Sequence, residues 1–467
     1  MTRLTRAESR APEKRSDRWP LAALLLGLCF AQGVFYVAKV GNLYVDVIYP
    51  LAAIVLVLRI VFRPAETERN IFQCFDRGML PLLLLIILSF VLVMFTTTTH
   101  VGLQINSYVN GLVVLAASIA AYLAVISLKD YVDYLLKGLW IGLVVSTVVS
   151  IAQYVAFQNG GAVTLYGLFP QPAFYISVPW GAASSWASNA EYLVYSYRAQ
   201  GLYLECSYFV AAATMIYLVT GGRQWANGLL RTLVLVILFV LFAMSGTGNI
   251  VLFFGFVVLA HLLRRDTKAE GLLRKRRNAL EWLVLIVALF LLATFVVYLL
   301  MGGSGKGAFI DIETISKGFS QGVESADITG GDNEQRFLCM SNALAEFLEN
   351  PWGVGYNMAP PVLAVDFGTN TTFSYFLTLL VELGLPGLAA YGYFAIRLVA
   401  RLLGDHTERR TYRIGLAMGI LALIGYQVGN GSGLIPIAWC LFALAAIETS
   451  TAREGKRVHG LSIVAEE

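Results

Sequence analysis

The chain has 467 residues, of which 57% are hydrophobic and only 14% charged, with a mean hydropathy of +0.68. A soluble domain sits near half apolar and a quarter charged, so this composition excludes a soluble enzyme and indicates a multi-pass membrane protein. The net charge of +4 and pI of about 8.7 reflect loops on one side of the membrane, as the tally below shows, and do not point to nucleic acid. Five cysteines are scattered without metal-ligand spacing.

Residues 1–18 form a basic tail containing Arg3, Arg6, Arg10, Lys14, Arg15 and Arg18. The first apolar run ends without a small-residue cleavage site, which predicts a retained anchor. A spanning helix takes about 20 mostly apolar residues. Such runs occur at about 21–38, 43–62, 79–95, 109–128 and 135–157. They continue at 202–219, 229–243, 250–263, 280–301, 373–399, 414–428 and 434–447. The expected fold is therefore all-α and polytopic, with about twelve spans in one membrane domain over 19–449 and a cytoplasmic tail over 450–467. Two long external segments stand out, the third and fifth loops, at about 158–201 and 302–372.

With the amino terminus inside, only Lys39, Arg198, Lys306, Lys317 and Arg336 lie outside; the remaining 29 of the 34 Lys and Arg residues face the cytoplasm. That asymmetry is the positive-inside pattern. It also resolves 229–263, where Arg231 and Arg264 both belong inside, into two short spans joined by a hairpin at "SGTGN" (245–249).

The stretch "NEQRFLCMSNALAEFLENPWGVGYN" (333–357) organises the rest. Phe337, Met340, Leu344 and Phe347 recur at helical steps, while Glu334, Arg336, Glu346 and Glu349 take other positions, which predicts an amphipathic helix. Asn350-Pro351 ends it. The next apolar segment is "FSYFLTLLVELGLPGLAAYGYF" (373–394).

Two external arginines, Arg198 and Arg336, sit one in each large loop. Arginine offers a planar fork of donors suited to phosphate, so the pair fits a diphosphate; a local partner such as Glu334 or Glu346 is the alternative for Arg336. Glu205 stands at the mouth of the sixth span, either as a general base or orienter, or as a first-turn acid favoured by the helix dipole. Glu382 lies mid-span and is expected to hydrogen-bond to neighbouring helices rather than to touch substrate. Most of the third loop's Trp and Tyr residues read as interfacial. His100 is the only external histidine, and no external cluster has metal-ligand spacing.

The runs "YRAQGLYLECSYF", "LFAMSGTGNIVLFF", "RFLCMSNALAEFLENPWGVGYN" and "FLTLLVELGLPG" occur in an order that resembles the O-antigen polymerase and ligase superfamily. The resemblance covers about 198–387, and the two large loops resemble the Wzy-type polymerases. It implies a GT-C-type membrane glycosyltransferase of the bacterial inner membrane, metal- and cofactor-independent, with both termini cytoplasmic and a periplasmic site. The implied donor is an undecaprenyl-diphosphate-linked oligosaccharide, and a flippase and chain-length regulator are implied partners. Arg198 and Arg336 match the family's loop arginines by position; Glu205 is expected to act beside them, with Tyr203, Tyr356 and Asn357 near the sugar. Ligases of the family carry arginine after the serine of "SGTG", where this chain has Gly246. They also carry histidine nine residues before the glutamate, where Phe373 stands. The polymerases' ten-residue arginine-to-glycine spacing is missing too, Phe209 and Phe347 occupying those places. A polymerase is the expected function, with an O-antigen ligase second and a flippase or transporter as the rival class. A transferase with an acidic pair in its first external loop is disfavoured, that loop being only about 39–42.

The charge tally predicts that a cysteine introduced at Gly331 reacts with an impermeant thiol reagent in intact cells while one at Ala269 does not. Labelling at Ala269 would reverse the topology.

Overall fold

The computed structural model describes residues 18–33, 36–40, 43–99, 103, 105–159, 182–183, 196–197, 199–203, 206–221, 223, 225, 228–244, 250–264, 331–369, 371–404, 410–429 and 435–464. Helices dominate: α1 (Trp19–Phe30), α2 (Ile48–Phe62), α3 (Pro64–Cys74), α4 (Leu80–Leu88), α5 (Phe90–Thr99), α6 (Asn106–Ser127) and α7 (Val132–Gln158). After the third loop come α8 (Cys206–Thr220), α9 (Leu229–Met244) and α10 (Ile250–Arg264). Within the fifth lie α11 (Gly331–Glu349) and α12 (Ala359–Phe367), and after it come α13 (Tyr375–Leu403), α14 (Arg410–Val428) and α15 (Pro436–Val464). Among the described residues, five helices are long and apolar enough to cross a membrane, or six if the bent α2–α3 pair counts as one span. Trp19–Phe30, Cys206–Thr220, Leu229–Ala243, Phe253–Arg264 and Pro436–Thr451 are shorter apolar helices. The expected span at 280–301 lies outside the described residues.

The chain is not wholly α-helical. Strands β1 (Tyr36–Val40) and β2 (Leu43–Asp46) pair antiparallel in the register Val40↔Leu43 to Tyr36↔Asp46, with an irregularity between Tyr36 and Ala38. They take the end of the first expected span and the start of the second. The run "YVAKVGNLYVD" has the β-branched and aromatic content of strands, with Gly-Asn between them as a two-residue hairpin signal; hydropathy alone conceals it. A two-residue pair, β3 (Ala182–Ala183) with β4 (Ser196–Tyr197), lies in the third loop. The 63–78 connection, expected as a loop, holds α3, bent 120° from α2.

Among the described residues, the arginine contacts gather at one end of the bundle. Arg59, 0% exposed, gives Nη2 to Glu66 Oε1 at 2.6 Å and to the Ser127 carbonyl at 2.7 Å. Asp76 receives Arg401 at 2.9 Å and Arg397 at 3.5 Å, and Asp133 receives Arg223 at 2.9 Å. Arg231 Nη2 donates to the Tyr217 carbonyl at 2.7 Å, and Arg264 Nη2 donates to those of Leu218 at 2.9 Å and Gly221 at 3.3 Å. Cations at a helix C-terminus satisfy its last carbonyls. Because Arg231 opens α9 and Arg264 closes α10, their meeting on the end of α8 makes α9 and α10 a returning pair, as the charge tally required.

The predicted helix over 333–349 is present as α11, but its inward face is different. Cys339, Ala343 and Glu346 are buried, whereas Phe337, Leu338, Leu344 and Leu348 face outward, continued by Trp352 at 72% exposure. Glu346, expected on the solvated face, accepts from Asn350 Nδ2 at 2.8 Å. Lipid tails are as apolar as leucine, so an apolar stripe beside a membrane bundle does not identify the face that packs inward.

Helix α13 is broken. Gly384 has φ 64° and ψ −164°, and Pro386 lies within the same apolar run. Pro386 has no N–H for the Glu382 carbonyl four residues back. The loop after α11 supplies the missing donors: Val354 N–H to the Val381 carbonyl at 2.8 Å and Gly355 N–H to that of Glu382 at 2.9 Å. The fit depends on two glycines. A Cβ on Gly353 would strike the Glu382 carbonyl, and one on Gly384 the Pro351 carbonyl. Gly384→Ala is expected to cost at least the ~1–3 kcal/mol of a residue held in a glycine region, lowering the thermal unfolding midpoint in detergent. The outward Leu385→Ala should stay within about 0.5 kcal/mol of the parent.

Candidate active site

The end opposite the arginines is built from the starts of α2, α6, α8 and α13, the end of α7, and the loop at 350–358. That loop is tied on several sides. Thr96 Oγ1 donates to the Val354 carbonyl at 2.9 Å, and Ser89 Oγ accepts from Tyr356 N–H at 3.1 Å. Asn357, at a positive φ of 59°, gives Nδ2 to the Ser107 carbonyl at 2.6 Å. A side chain at Gly111 would collide with Asn357 and Tyr356, so α6 approaches the loop closely.

Glu382 is 3% exposed in the first half of α13, and its carboxylate accepts the backbone N–H groups of Asn357 and Ala359. An acid in the apolar middle of a span thus serves the entry of α12 and holds the loop from below. Neighbouring helices are the expected partners; those present are a loop residue and the first residue of α12. Tyr356 packs within electrostatic reach of Glu382 and Tyr49; burial first, and then those neighbours, push its phenol up.

Tyr203 occupies a second wall. Gly33 N–H bonds the Leu202 carbonyl at 3.1 Å, and the Tyr203 ring covers Gly33. The ring stacks on Phe209 with centroids 5.4 Å apart. Gln153 of α7 clamps the turn, accepting from Gly201 N–H at 3.0 Å and donating to its carbonyl at 3.1 Å. Burial, with the Asp46 carboxylate nearby, raises the Tyr203 phenol.

The structure joins these walls through a residue the sequence reading passed over. Asp46, 6% exposed at the end of β2, lies within electrostatic reach of both Tyr203 and Tyr49, and Tyr49 in turn of Tyr356. Its signal was the hairpin pattern, which was hidden inside what looked like two spans. Arg198 and Glu205 lie outside the described residues, as do the side chain of Arg336 on α11 and the aromatic cluster of the third loop. Phe373, nine residues before Glu382, stands at a positive φ of 51° just ahead of α13. The five cysteines are free thiols, Cys206 and Cys339 included.

Residues 232–392 match the family model described as O-Antigen ligase. Over those residues the chain is similar to the O-antigen ligase family, which supports the resemblance to the O-antigen ligase and polymerase superfamily. It spans α9 through the first half of α13, and so takes in Tyr356, Asn357, Glu382 and the broken helix, but not Tyr203 or Asp46. No curated protein matches the chain.

If Glu382 acts as a backbone acceptor, Glu382→Gln should keep both N–H groups bonded and unfold near the parent temperature. Glu382→Ala should lose about 1–3 kcal/mol for each N–H left unmet, measured by thermal unfolding of the purified protein.

Proposed function

We propose that this chain is a polysaccharide polymerase of the bacterial inner membrane. In this reading it has twelve spans in a GT-C-type arrangement, both termini cytoplasmic and the site facing the periplasm. It moves a glycan from undecaprenyl diphosphate to a hydroxyl of another lipid-linked repeat unit, without metal or cofactor, for O-antigen or exopolysaccharide synthesis. The observation that carries it is the family match over the loop and broken helix that present Tyr356 and Asn357. A flippase that delivers the repeat unit and a chain-length regulator are the partners this reading implies.

Arg198 and Arg336 hold the diphosphate and stabilise the charge that develops as it leaves. Glu205 accepts a proton or orients the acceptor, and Tyr203, Tyr356 and Asn357 line the sugar. The matched model's own description favours an O-antigen ligase as the second reading, which would transfer the glycan to a lipid A core or a protein acceptor. Gly246 and Phe373, at the positions where the ligases carry arginine and histidine, favour the polymerase. A deletion strain should still make surface glycan, carrying a single repeat unit. Glycan missing altogether from its acceptor would mean a ligase, and cytoplasmic accumulation a flippase.

A bidentate guanidinium loses its geometry on replacement by lysine although the charge survives. Removing one preorganised donor of transition-state charge costs ~2.7–4 kcal/mol, about a hundred- to a thousandfold in rate. Arg336→Lys is therefore expected to shorten the polymer nearly as much as Arg336→Ala, at normal protein levels. Wild-type chain length from the lysine variant would show a surface ion pair, worth at most about 1 kcal/mol, and leave Arg198 alone on the diphosphate.

A further inference from the structure

Apart from Glu346, which accepts from Asn350, the buried acids among the described residues have two kinds of partner. At the arginine end each has a cation: Asp76 with Arg401, Glu448 with Arg413. At the opposite end, Glu382 is held by the N–H groups of a distant loop. Asp46 has neither. Its contacts are the N–H groups of its own turn, Val47 and Ile48, the latter at 3.2 Å, and no Arg, Lys or His pairs with it among the described residues. An ionisable group kept in such a place is costly and is usually functional.

Its surroundings carry a second, independent sign of a ligand. Gln32 Oε1 and Ser146 Oγ are buried without a hydrogen-bond partner. Gln32 precedes Gly33, which lies under the Tyr203 ring, and Ser146 lies against Gly201 in the same turn. Buried polar atoms are rarely left unbonded. Unmet oxygens around the Tyr203 turn, with a carboxylate within electrostatic reach of the phenol, fit a ligand bearing several hydroxyl groups.

Resting on the polymerase reading above, we propose that Asp46 is the proton acceptor for the attacking sugar hydroxyl, with Gln32 and Ser146 hydrogen-bonding its neighbouring hydroxyls and Glu205 left to orient. The Asp46 carboxylate takes the hydroxyl proton as the freed oxygen bonds to the anomeric carbon of the donor. The bond from that carbon to the diphosphate breaks, its electron pair leaving with the lipid diphosphate, and Asp46 then releases the proton to water. Burial pushes the Asp46 carboxyl up to about 7, against the lowering effect of the Ile48 and Val47 N–H groups. The described titratable groups that feel its charge are Cys29, Tyr49 and Tyr203. The base form of Asp46 therefore grows as pH rises through about 7.

The test uses the full chain in liposomes with lipid-diphosphate-linked repeat units extracted from a strain lacking it, and measures polymer formation between pH 5.5 and 8.5. Wild-type rate should climb with pH and level off above about 7. Asp46→Asn, which keeps an oxygen for the Ile48 N–H, should lose about a hundredfold or more in rate and lose the rising limb. Asp46→Glu should keep a rising limb with a moved midpoint, and it also reports on the carboxylate if the asparagine variant does not insert. Glu205→Gln should lower the rate but keep the limb. An unchanged pH profile in Asp46→Asn, a limb abolished by Glu205→Gln, or a limb lost in Asp46→Glu would each overturn the assignment. Failure of the wild-type protein to form any polymer would overturn the polymerase reading itself, and the assignment with it.

Discussion

The arrangement depends on a helix that cannot complete its own hydrogen bonds inside a membrane bundle. Pro386 leaves the Glu382 carbonyl without its usual donor, and Gly384 turns the chain out of helical geometry. In a medium without water an unmet backbone group costs several kcal/mol. Val354 and Gly355 supply N–H groups from another segment, and the Glu382 side chain returns the exchange by accepting from Asn357 and Ala359. Donors and acceptors thus pass both ways between the broken helix and the loop. Since neither side is satisfied alone, the loop that carries Tyr356 and Asn357 has one position.

From that constraint follows the contrast between the two ends of the bundle. At one end arginines cap helix carbonyls and hold acids such as Asp76, giving a charge-paired base. At the other, tyrosines and Asp46, which has no cation among the described residues, lie near the Tyr203 turn and the 350–358 loop. A charged lipid-linked substrate would find its hydrogen-bonding partners at that second end. The paired charges of the first end leave its surface to the anchoring of α3, α8, α13 and α14.

Much of this was legible beforehand. Among the described residues the apolar runs lie on helices apart from the ends that β1 and β2 take. The basic residues correctly made 229–263 a returning pair, because charge asymmetry is decided residue by residue along the chain. Asn350-Pro351 ends α11 where expected. The order of motifs pointed to the superfamily that the family match supports. The β1–β2 hairpin was missed because its valines, tyrosines and leucines score as membrane helix when only hydropathy is counted. With it went Asp46, since an acid placed just inside the second span looked like part of a helix entrance.

The sequence by itself determined that this is a multi-pass membrane protein, which connections carry the positive charge, and which short runs matter. Those properties reside in composition and order, and they survive any rearrangement of the helices. Only the tertiary structure decided that Glu382 serves a loop 25 residues before it in the chain, that Glu346 turns inward, and that Asp46, Tyr49 and Tyr203 share one wall. Each of those is a pairing between distant segments. In a bilayer the apolar pattern cannot foretell it, because lipid and protein interior accept the same side chains; the outcome rests on which buried polar groups can satisfy one another.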